Sequence, residues 1–232
     1  MSASAVATHA LEATAARRIA SAFLPDFALG NRYDYYYVQG KLRSDPLYPG
    51  ALAALRGSTA PLLDLGCGLG LLAHALRGDD QAMAYRGVDT DAAKIARATR
   101  AARRASLAEA TFEVVDLART LPQHRGSVAL LDVLQYLDIE AQQRLLVGMS
   151  AMLTPEAALV IRSPVTDGGG RSRTTRLVDR LAHRIGWMGM RPQHYPTLDA
   201  LRTTLEAHGL HVDCTPLYGR TPFNNWLIVA RR

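Results

Sequence analysis

From residue 61 onward, short apolar runs alternate with segments whose apolar residues recur at helical spacing. Each run has the length of a buried strand and ends in an acidic residue, a glycine or a serine. Helical patterns fill most of the intervals, at about 70–77, 91–107 and 139–153. This alternation predicts a mostly parallel sheet with helices on both faces. The five runs read PLLDLG, AYRGVD, TFEVVD, SVALLD and ALVIRS.

The last part of the chain has a different pattern. Thr197 can cap a helix that stops at Gly209, and two strand-like runs follow at 210–218 and 223–230. The connection between these runs is so short that the two strands must pair antiparallel. We therefore expect a doubly wound α/β fold, with a mostly parallel seven-stranded sheet and an antiparallel C-terminal hairpin.

The first 58 residues lack the strand–helix alternation. They contain an alanine-rich helical pattern at about 5–23, a stretch rich in tyrosine and turn residues, and a short helical pattern at 50–56. We expect them to form a helical cap on a single domain. The predicted parts of that domain are the cap (1–58), a ligand-binding core (59–165), an insertion on the substrate side (166–196) and the closing helix and hairpin (197–232).

The composition is that of an ordinary globular protein. Of the 232 residues, 48% are hydrophobic and 21% are charged, which excludes disordered and fibrous classes. A chain of this size buries a large core without disulfide or metal staples, and Cys67 and Cys214 are too few for a disulfide framework or a zinc site. No apolar run is long enough to span a membrane, and the first residues do not form an export signal, so we expect a cytoplasmic protein.

The net charge of +6 allows a nucleic-acid or anionic-membrane partner. The arginines are spread along the whole chain, which argues against a nucleic acid. On the predicted helix after residue 91, Arg97, Arg100 and Arg104 share a face opposite Ile95. We interpret this stripe as a solvent-exposed helix face rather than a phosphate-binding surface.

The strongest local signal is a glycine-rich turn between the first predicted strand and the helix after it. Gly66, Gly68 and Gly70 let the backbone turn sharply and approach a ligand with free N–H groups. With Ala73, the turn also fits the fingerprint of nicotinamide-dependent oxidoreductases. Cys67 within the turn is interpreted as a small packing residue rather than a nucleophile. The turn alone does not decide which ligand binds.

A series of carboxylates at the predicted strand ends narrows the class of ligand. Asp64 lies inside the first predicted strand, and Asp89, Asp116 and Asp132 end the next three. Ligands of open α/β sheets bind at these carboxyl ends, and such a set suits a cationic or hydroxyl-rich ligand better than a pyrophosphate. An alternative for Asp89 or Thr90 is a purely structural role as a helix N-cap.

These motifs resemble those of class I S-adenosylmethionine-dependent methyltransferases. The resemblance rests on DLGCGLG, the acidic end of the next strand, VVDLA and LLDVLQYL, and it covers residues 61 to about 165. It implies S-adenosylmethionine as the cofactor and a Rossmann-like fold. The cofactor-binding residues that it implies are Asp64, Gly66, Cys67, Gly68, Gly70, Asp89, Thr90, Asp116, Leu117 and Asp132.

The resemblance also implies a role for each part of the set. The glycine turn would pass under the methionine and ribose, and Asp64 would lie beside the amino group, directly or through water. Asp89 would accept from the ribose hydroxyls. Asp116 would accept from the adenine amino group while the Leu117 N–H meets the ring, and Asp132 would line the methionine end.

The class of acceptor is predicted from a motif that is absent at the end of the fourth predicted strand. An Asn-Pro-Pro-aromatic string, typical of methylation at base or amide nitrogens, is replaced by DVLQY at 132–136. This sequence resembles the corresponding segment of methyltransferases that act on small molecules. We therefore expect a small, apolar or aromatic acceptor and no metal. The alternatives left open are an RNA methyltransferase and a catalytically silent interaction subunit.

Residues that contact the acceptor are expected outside the cofactor core. The segments 32–48 and 164–196 concentrate aromatic side chains, and three successive glycines at 168–170 would let the second segment move. We expect the two segments to form a cover over the cleft. The candidate catalytic residues are Tyr36, Tyr136 and His194.

Overall fold

The computed structural model describes residues 9–27, 29–117, 119–166, 193–217 and 224–232. Within these ranges, seven strands form one sheet in the order β3-β2-β1-β4-β5-β7-β6. The strands β1 to β5 pair in parallel, and β7 lies antiparallel to both β5 and β6. The predicted fold class is confirmed. The strands are β1 Leu62–Leu65, β2 Tyr85–Asp89, β3 Ala110–Val114, β4 Ser127–Leu131, β5 Ala158–Pro164, β6 His211–Pro216 and β7 Asn225–Arg231.

Helices cover both faces of the sheet, because successive residues of a strand point to opposite sides. Leu62 of β1 faces a core shared with helices α1 to α4, whereas its neighbour Leu63 faces a second core with α6 and α7. The strands β1 and β5 are buried along their whole length, as their continuous apolar runs predict. The helices are α1 Ala13–Ser21, α2 Tyr33–Ser44, α3 Leu47–Leu55, α4 Leu71–Gly78, α5 Ala92–Arg104, α6 Ile139–Met152 and α7 Leu198–Glu206.

Side-chain caps fix the beginning of three helices. The Thr197 hydroxyl accepts from the N–H of Ala200 at the start of α7, which confirms the predicted cap. Asp138 caps α6 in the same way. The cap of α5 is Asp91, not Asp89 or Thr90. The interpretation of Asp89 or Thr90 as the N-cap is therefore wrong, and the Asp89 carboxylate makes other contacts.

The N-terminal cap departs from the sequence pattern in its lengths. Helix α1 begins at Ala13 rather than near residue 5, and α3 begins at Leu47, where the Asp45 carboxylate accepts from the Leu47 N–H. Residues 1–8, most of the predicted insertion (167–192) and the hairpin turn at 218–223 lie outside the described ranges. None of the helices in the described part of the chain has both the length and the hydropathy that a membrane crossing requires.

The arginine stripe of α5 is not a simple solvated face. Arg97 pairs with Asp34 at 2.9 Å, and Arg104 reaches the Asp26 carboxylate and the Ala22 carbonyl oxygen. The interpretation as a simple solvent-exposed face was wrong for these two side chains, because the beginning of α2 lies beside Arg97 and the segment between α1 and α2 lies beside Arg104. Arg100 remains exposed.

Candidate functional site

The glycine turn lies at the carboxyl end of β1, where it leads into α4. Gly66, Gly68 and Gly70 all have positive φ angles, of 78°, 56° and 69°. A Cβ atom at Gly66 would lie 2.4 Å from Val133 Cγ2, and one at Gly70 would lie 2.4 Å from Phe112 Cε1. A Cβ atom at Gly68 would meet nothing within 4 Å. Two of the glycines thus serve close packing, while Gly68 borders open space.

Asp89 holds this turn in place from the end of β2. One carboxylate oxygen accepts from the Gly68 N–H and the other from the Asp91 N–H, both at 2.9 Å. The backbone adds two bonds, from the N–H groups of Gly66 and Cys67 to the Val88 carbonyl oxygen. The Asp89 carboxylate is half-buried and lies beside the open face at Gly68.

Asp64, two residues before the turn, is almost completely buried. The Tyr85 hydroxyl donates a 2.5 Å hydrogen bond to its Oδ2 atom, whereas its Oδ1 atom has no partner among the described residues. Burial raises the pKa of Asp64 to about 7, the Tyr85 hydrogen bond opposes that rise, and the Asp89 charge adds to it. A buried carboxylate oxygen without a partner suits a cationic group beside it.

Cys67 is a packing residue here. Its Sγ atom would lie 2.8 Å from a Cβ atom at Gly87, so the thiol fills the space that this glycine leaves on β2. Burial, together with the nearby Asp64 and Asp89 charges, raises the pKa of the Cys67 thiol far above its usual range. The thiol stays protonated, which supports the packing interpretation.

The third strand continues the same edge of the sheet. The Val115 N–H, one residue after β3, donates to the Asp89 carbonyl oxygen at 3.0 Å. Asp116 is exposed beyond it, and Leu117 is half-buried against the core on the α6 side. Thr90 is exposed at the end of β2. The structure therefore brings Asp116 and Leu117 to the edge that Asp89 and Gly68 occupy.

A buried ion cluster at the end of β4 was missed by the sequence analysis. Arg162 of β5 is 3% exposed and donates to both carboxylate oxygens of Asp45, at 3.0 and 3.1 Å, and to the Asp132 carboxylate. Lys41 of α2 completes the cluster, 2.7 Å from Asp45 and 3.6 Å from Asp132. An arginine within the apolar run ALVIRS was the one signal that could have indicated it. We call these four residues the ion cluster.

The charges in the ion cluster stabilise one another. Burial lowers the pKa of Arg162, but the carboxylates of Asp132 and Asp45 outweigh burial and raise it. The same balance raises the pKa of Lys41. Asp132 itself has a φ angle of 61°, which is unusual for a residue with a side chain. The cluster thus fixes Asp132, predicted to line the methionine end, in a conformation that it would otherwise disfavour.

Two of the three candidate catalytic residues meet at one turn. Tyr136 belongs to a short 3₁₀ turn, Leu134–Tyr136, directly after β4. The His194 N–H donates to the Gln135 carbonyl oxygen at 3.3 Å, so residue 194 packs on that turn with its side chain exposed. Tyr36 lies elsewhere, exposed on α2 with its ring edge-on to Tyr35.

Helix α2 links the two sides of the carboxyl edge. Near its beginning, Asp34 pairs with Arg97 of α5, the helix that follows β2. Near its end, Lys41 contacts Asp132 after β4. Since β1 lies between β2 and β4 in the sheet, α2 crosses the edge where the glycine turn lies. The predicted position of residues 32–48 beside the cleft agrees with this arrangement.

Solved structures with the same fold include several methyltransferases. An O-methyltransferase family protein from Burkholderia thailandensis has a TM-score of 0.59 and 20% identity, over 79% of this chain and 52% of that one. The pyocyanin biosynthetic protein PhzM has a TM-score of 0.64 and 18% identity, over 87% and 57%. Magnesium protoporphyrin IX methyltransferase (ChlM) from Synechocystis PCC 6803, with bound S-adenosylhomocysteine, has a TM-score of 0.63 and 18% identity, over 94% of both chains.

These structural similarities show that the chain has the same fold as these proteins. The chain spans about half the length of the first two proteins, at 52% and 57%. No curated protein sequence matches the chain. The family model described as a methyltransferase domain matches residues 57–185, which is more than half of the 232 residues. The chain therefore belongs to the methyltransferase domain family, as its motifs predicted, and its cofactor is S-adenosylmethionine.

Proposed function

We propose that this protein transfers the methyl group of S-adenosylmethionine to a small, apolar or aromatic molecule. The observation that carries the proposal is the open space at Gly68, bordered by the Asp89 carboxylate, together with the buried Oδ1 atom of Asp64, which has no partner among the described residues. A ligand that fills this space meets backbone at close range and carboxylates on two sides. That environment fits a molecule with a ribose diol and an ammonium group.

In this proposal, each residue at the carboxyl edge of the sheet binds a different part of the cofactor. Asp89 accepts from the ribose hydroxyls, and Asp64 faces the ammonium group. Asp116 and Leu117 hold the adenine at the end of β3. When bound, the cofactor supplies an electrophilic methyl group on a sulfonium sulfur. Asp132, fixed by the ion cluster, lines the methionine end.

The acceptor side consists of α2 and the turn after β4. Methyl transfer requires an acceptor atom in line with the methyl group, and alignment accounts for most of the rate. Tyr136 and His194 stand at the same turn, so one holds the acceptor and the other removes a proton where the attacking atom carries one. Tyr36, exposed on α2, is the third candidate residue of the acceptor side.

The charge of the chain gives less support to an RNA acceptor. Arg97 and Arg104, which share the basic stripe of α5, are already paired with Asp34 and Asp26. Those carboxylates neutralise the two arginines that a phosphate backbone would contact. We therefore do not expect RNA to be the acceptor, and the experiment below tests RNA as the alternative.

The experiment is a search for a methylated product in a cell extract. The protein is incubated with S-adenosylmethionine that carries a deuterated methyl group, together with either the dialysable small-molecule fraction or the RNA fraction. Mass spectrometry then follows the label. We expect a labelled apolar or aromatic product in the first fraction, absent with Asp89→Ala. Label in ribonuclease-sensitive material alone would contradict the small-molecule acceptor, and cofactor binding without any label would indicate a catalytically silent protein.

A further inference from the structure

We propose that this protein docks on an anionic phospholipid membrane through a surface formed by the segment before α2, the beginning of α2 and the outer face of α5. The surface, here called the aromatic–basic surface, is formed by Phe27, Leu29, Tyr33, Tyr37, Arg100 and Arg103. The proposal does not depend on the acceptor or on methyl transfer. It rests on the exposure of these side chains and on their charge.

Within the described ranges, the large exposed apolar side chains concentrate in this one region. Phe27 is 69% exposed and Leu29 is 97% exposed, and three exposed tyrosines follow within the next eight residues. The other large apolar side chains that are exposed in the described ranges are scattered, on β3 and at two positions of α6. Single exposed apolar residues are ordinary, whereas a group of five within eleven consecutive positions indicates an interaction surface.

The basic side chains beside this group are available for a partner. Arg100 and Arg103 are exposed on α5, and within the described part of the chain neither guanidinium forms an ion pair or a hydrogen bond. The acids that face the surface, Asp26 and Asp34, are paired with Arg104 and Arg97. The surface therefore keeps a net positive charge after its internal pairs are counted.

A cavity joins the apolar and the basic halves. It has a volume of about 300 Å³ and opens to solvent between α5 and the segment before α2. Its wall includes Phe23 and Phe27 on one side and Arg97, Arg100 and Arg104 on the other. Arg100 is the arginine of this wall that no carboxylate of the described residues pairs with, and its guanidinium fork matches a phosphate group. The phenyl rings match the carbon chain attached to that phosphate. A phospholipid presents these two groups in that order.

The mixture of side chains favours a membrane over the other partners. A nucleic acid would use the arginines and stack bases on the tyrosines, but it would leave the nearly fully exposed Leu29 in water. At a membrane interface, tyrosines lie at headgroup level, arginines attract anionic headgroups, and leucine and phenylalanine enter the acyl boundary. Each part of the aromatic–basic surface has a place in that arrangement.

The test is co-sedimentation with phosphatidylcholine vesicles that either lack or contain phosphatidylglycerol. We expect binding to the anionic vesicles to be stronger by about tenfold or more and to fall as sodium chloride is added, because the arginines act through screened charge. The variant Phe27→Ser/Leu29→Ser and the variant Arg100→Glu/Arg103→Glu should each lose most of this binding. All four side chains are exposed, so we expect both variants to keep the circular dichroism spectrum of the wild type.

Matched controls come from α6. Ile139→Ser removes an apolar side chain that is 56% exposed, and Arg144→Glu reverses an exposed arginine, both outside the surface. Each control should bind the vesicles as the wild type does. Equal sedimentation with neutral and anionic vesicles, or loss of binding in the controls as well, would overturn the proposal. The proposal would also be overturned if the wild type formed an RNA complex or a dimer at the same protein concentration and did not bind the vesicles, and if the surface variants abolished that complex or dimer.

Discussion

The hydroxyl of Tyr85 donates a 2.5 Å hydrogen bond to Asp64 Oδ2, while Oδ1 of the same carboxylate is buried and has no partner among the described residues. Burial raises the pKa of Asp64 to about 7, and the bond from Tyr85 keeps that pKa from rising further. Near neutral pH this group therefore exists partly as the neutral acid. A cation placed beside it favours the carboxylate form.

Cofactor affinity should consequently depend on pH around 7. The ammonium group of S-adenosylhomocysteine binds the ionised form of Asp64, so the dissociation constant should be about tenfold higher at pH 6 than at pH 8. Tyr85→Phe removes the hydrogen bond that lowers the pKa of Asp64, and the rise in affinity should move to higher pH. Phenylalanine keeps the ring packing on Phe112, whose centroid lies 5.7 Å away.

Calorimetric titration at several pH values measures this profile. Asp64→Asn is the matched control, because it cannot ionise in this range, and its affinity should be weak and nearly independent of pH. An unchanged profile in Tyr85→Phe would mean that the phenol does not act on Asp64 through this bond.

Asp89 and Asp91 are two residues apart, but their carboxylates have different roles, in the proposed cofactor site and at the helix cap of α5. Asp89→Ala removes the acceptor proposed for the ribose hydroxyls and for the Gly68 N–H, so affinity for S-adenosylhomocysteine should fall by about tenfold or more. Asp91→Ala removes the cap of α5 and should cost about 1 kcal/mol of stability with affinity preserved. Titration and urea unfolding of both variants separate the two roles. The assignment fails if Asp89→Ala binds normally and loses only stability.

The ion cluster should dominate the stability of the link between α2 and the sheet. Arg162→Met removes the buried guanidinium and leaves the carboxylates of Asp45 and Asp132 to share the single positive charge of Lys41, and we expect a loss of about 3–5 kcal/mol in the free energy of unfolding. Arg202→Met, which removes an exposed partner of Glu206 at 3.9 Å, is the control and should change stability by less than about 0.5 kcal/mol. Equal losses in urea unfolding of the two variants would contradict the importance of burial here.

Much of the fold was predictable because it depends on local pattern. Continuous apolar runs and helical spacing gave the parallel strands, and the glycine turn placed the site at their carboxyl end. The bond between Arg162 and Asp45 joins residues 117 positions apart, and no local pattern specifies such a contact. Asp91 was overlooked as the α5 cap because Asp89 and Thr90 precede it and are equally suited by residue type. Long-range pairs and choices between adjacent acids need the folded chain.

The acceptor-side residues should affect transfer and not cofactor binding. His194→Ala and Tyr36→Ala should each impair methyl transfer while the dissociation constant of S-adenosylmethionine changes by less than about threefold. His208→Ala, an exposed histidine at the end of α7 whose ring bonds to the Thr204 carbonyl oxygen, is the control and should leave transfer unchanged. Full transfer in both test variants would place the acceptor pocket elsewhere.

The most direct test of the account is the choice of ligand at the glycine turn. The same turn fits a dinucleotide fingerprint, but Asp89 borders the open face at Gly68 and Asp64 is buried two residues before the turn, and two carboxylates disfavour a pyrophosphate. Calorimetric titration of the purified protein with S-adenosylhomocysteine and, separately, with NAD compares the two. We predict binding of S-adenosylhomocysteine in the micromolar range and no response to NAD. Micromolar binding of NAD with no response to S-adenosylhomocysteine would contradict the account.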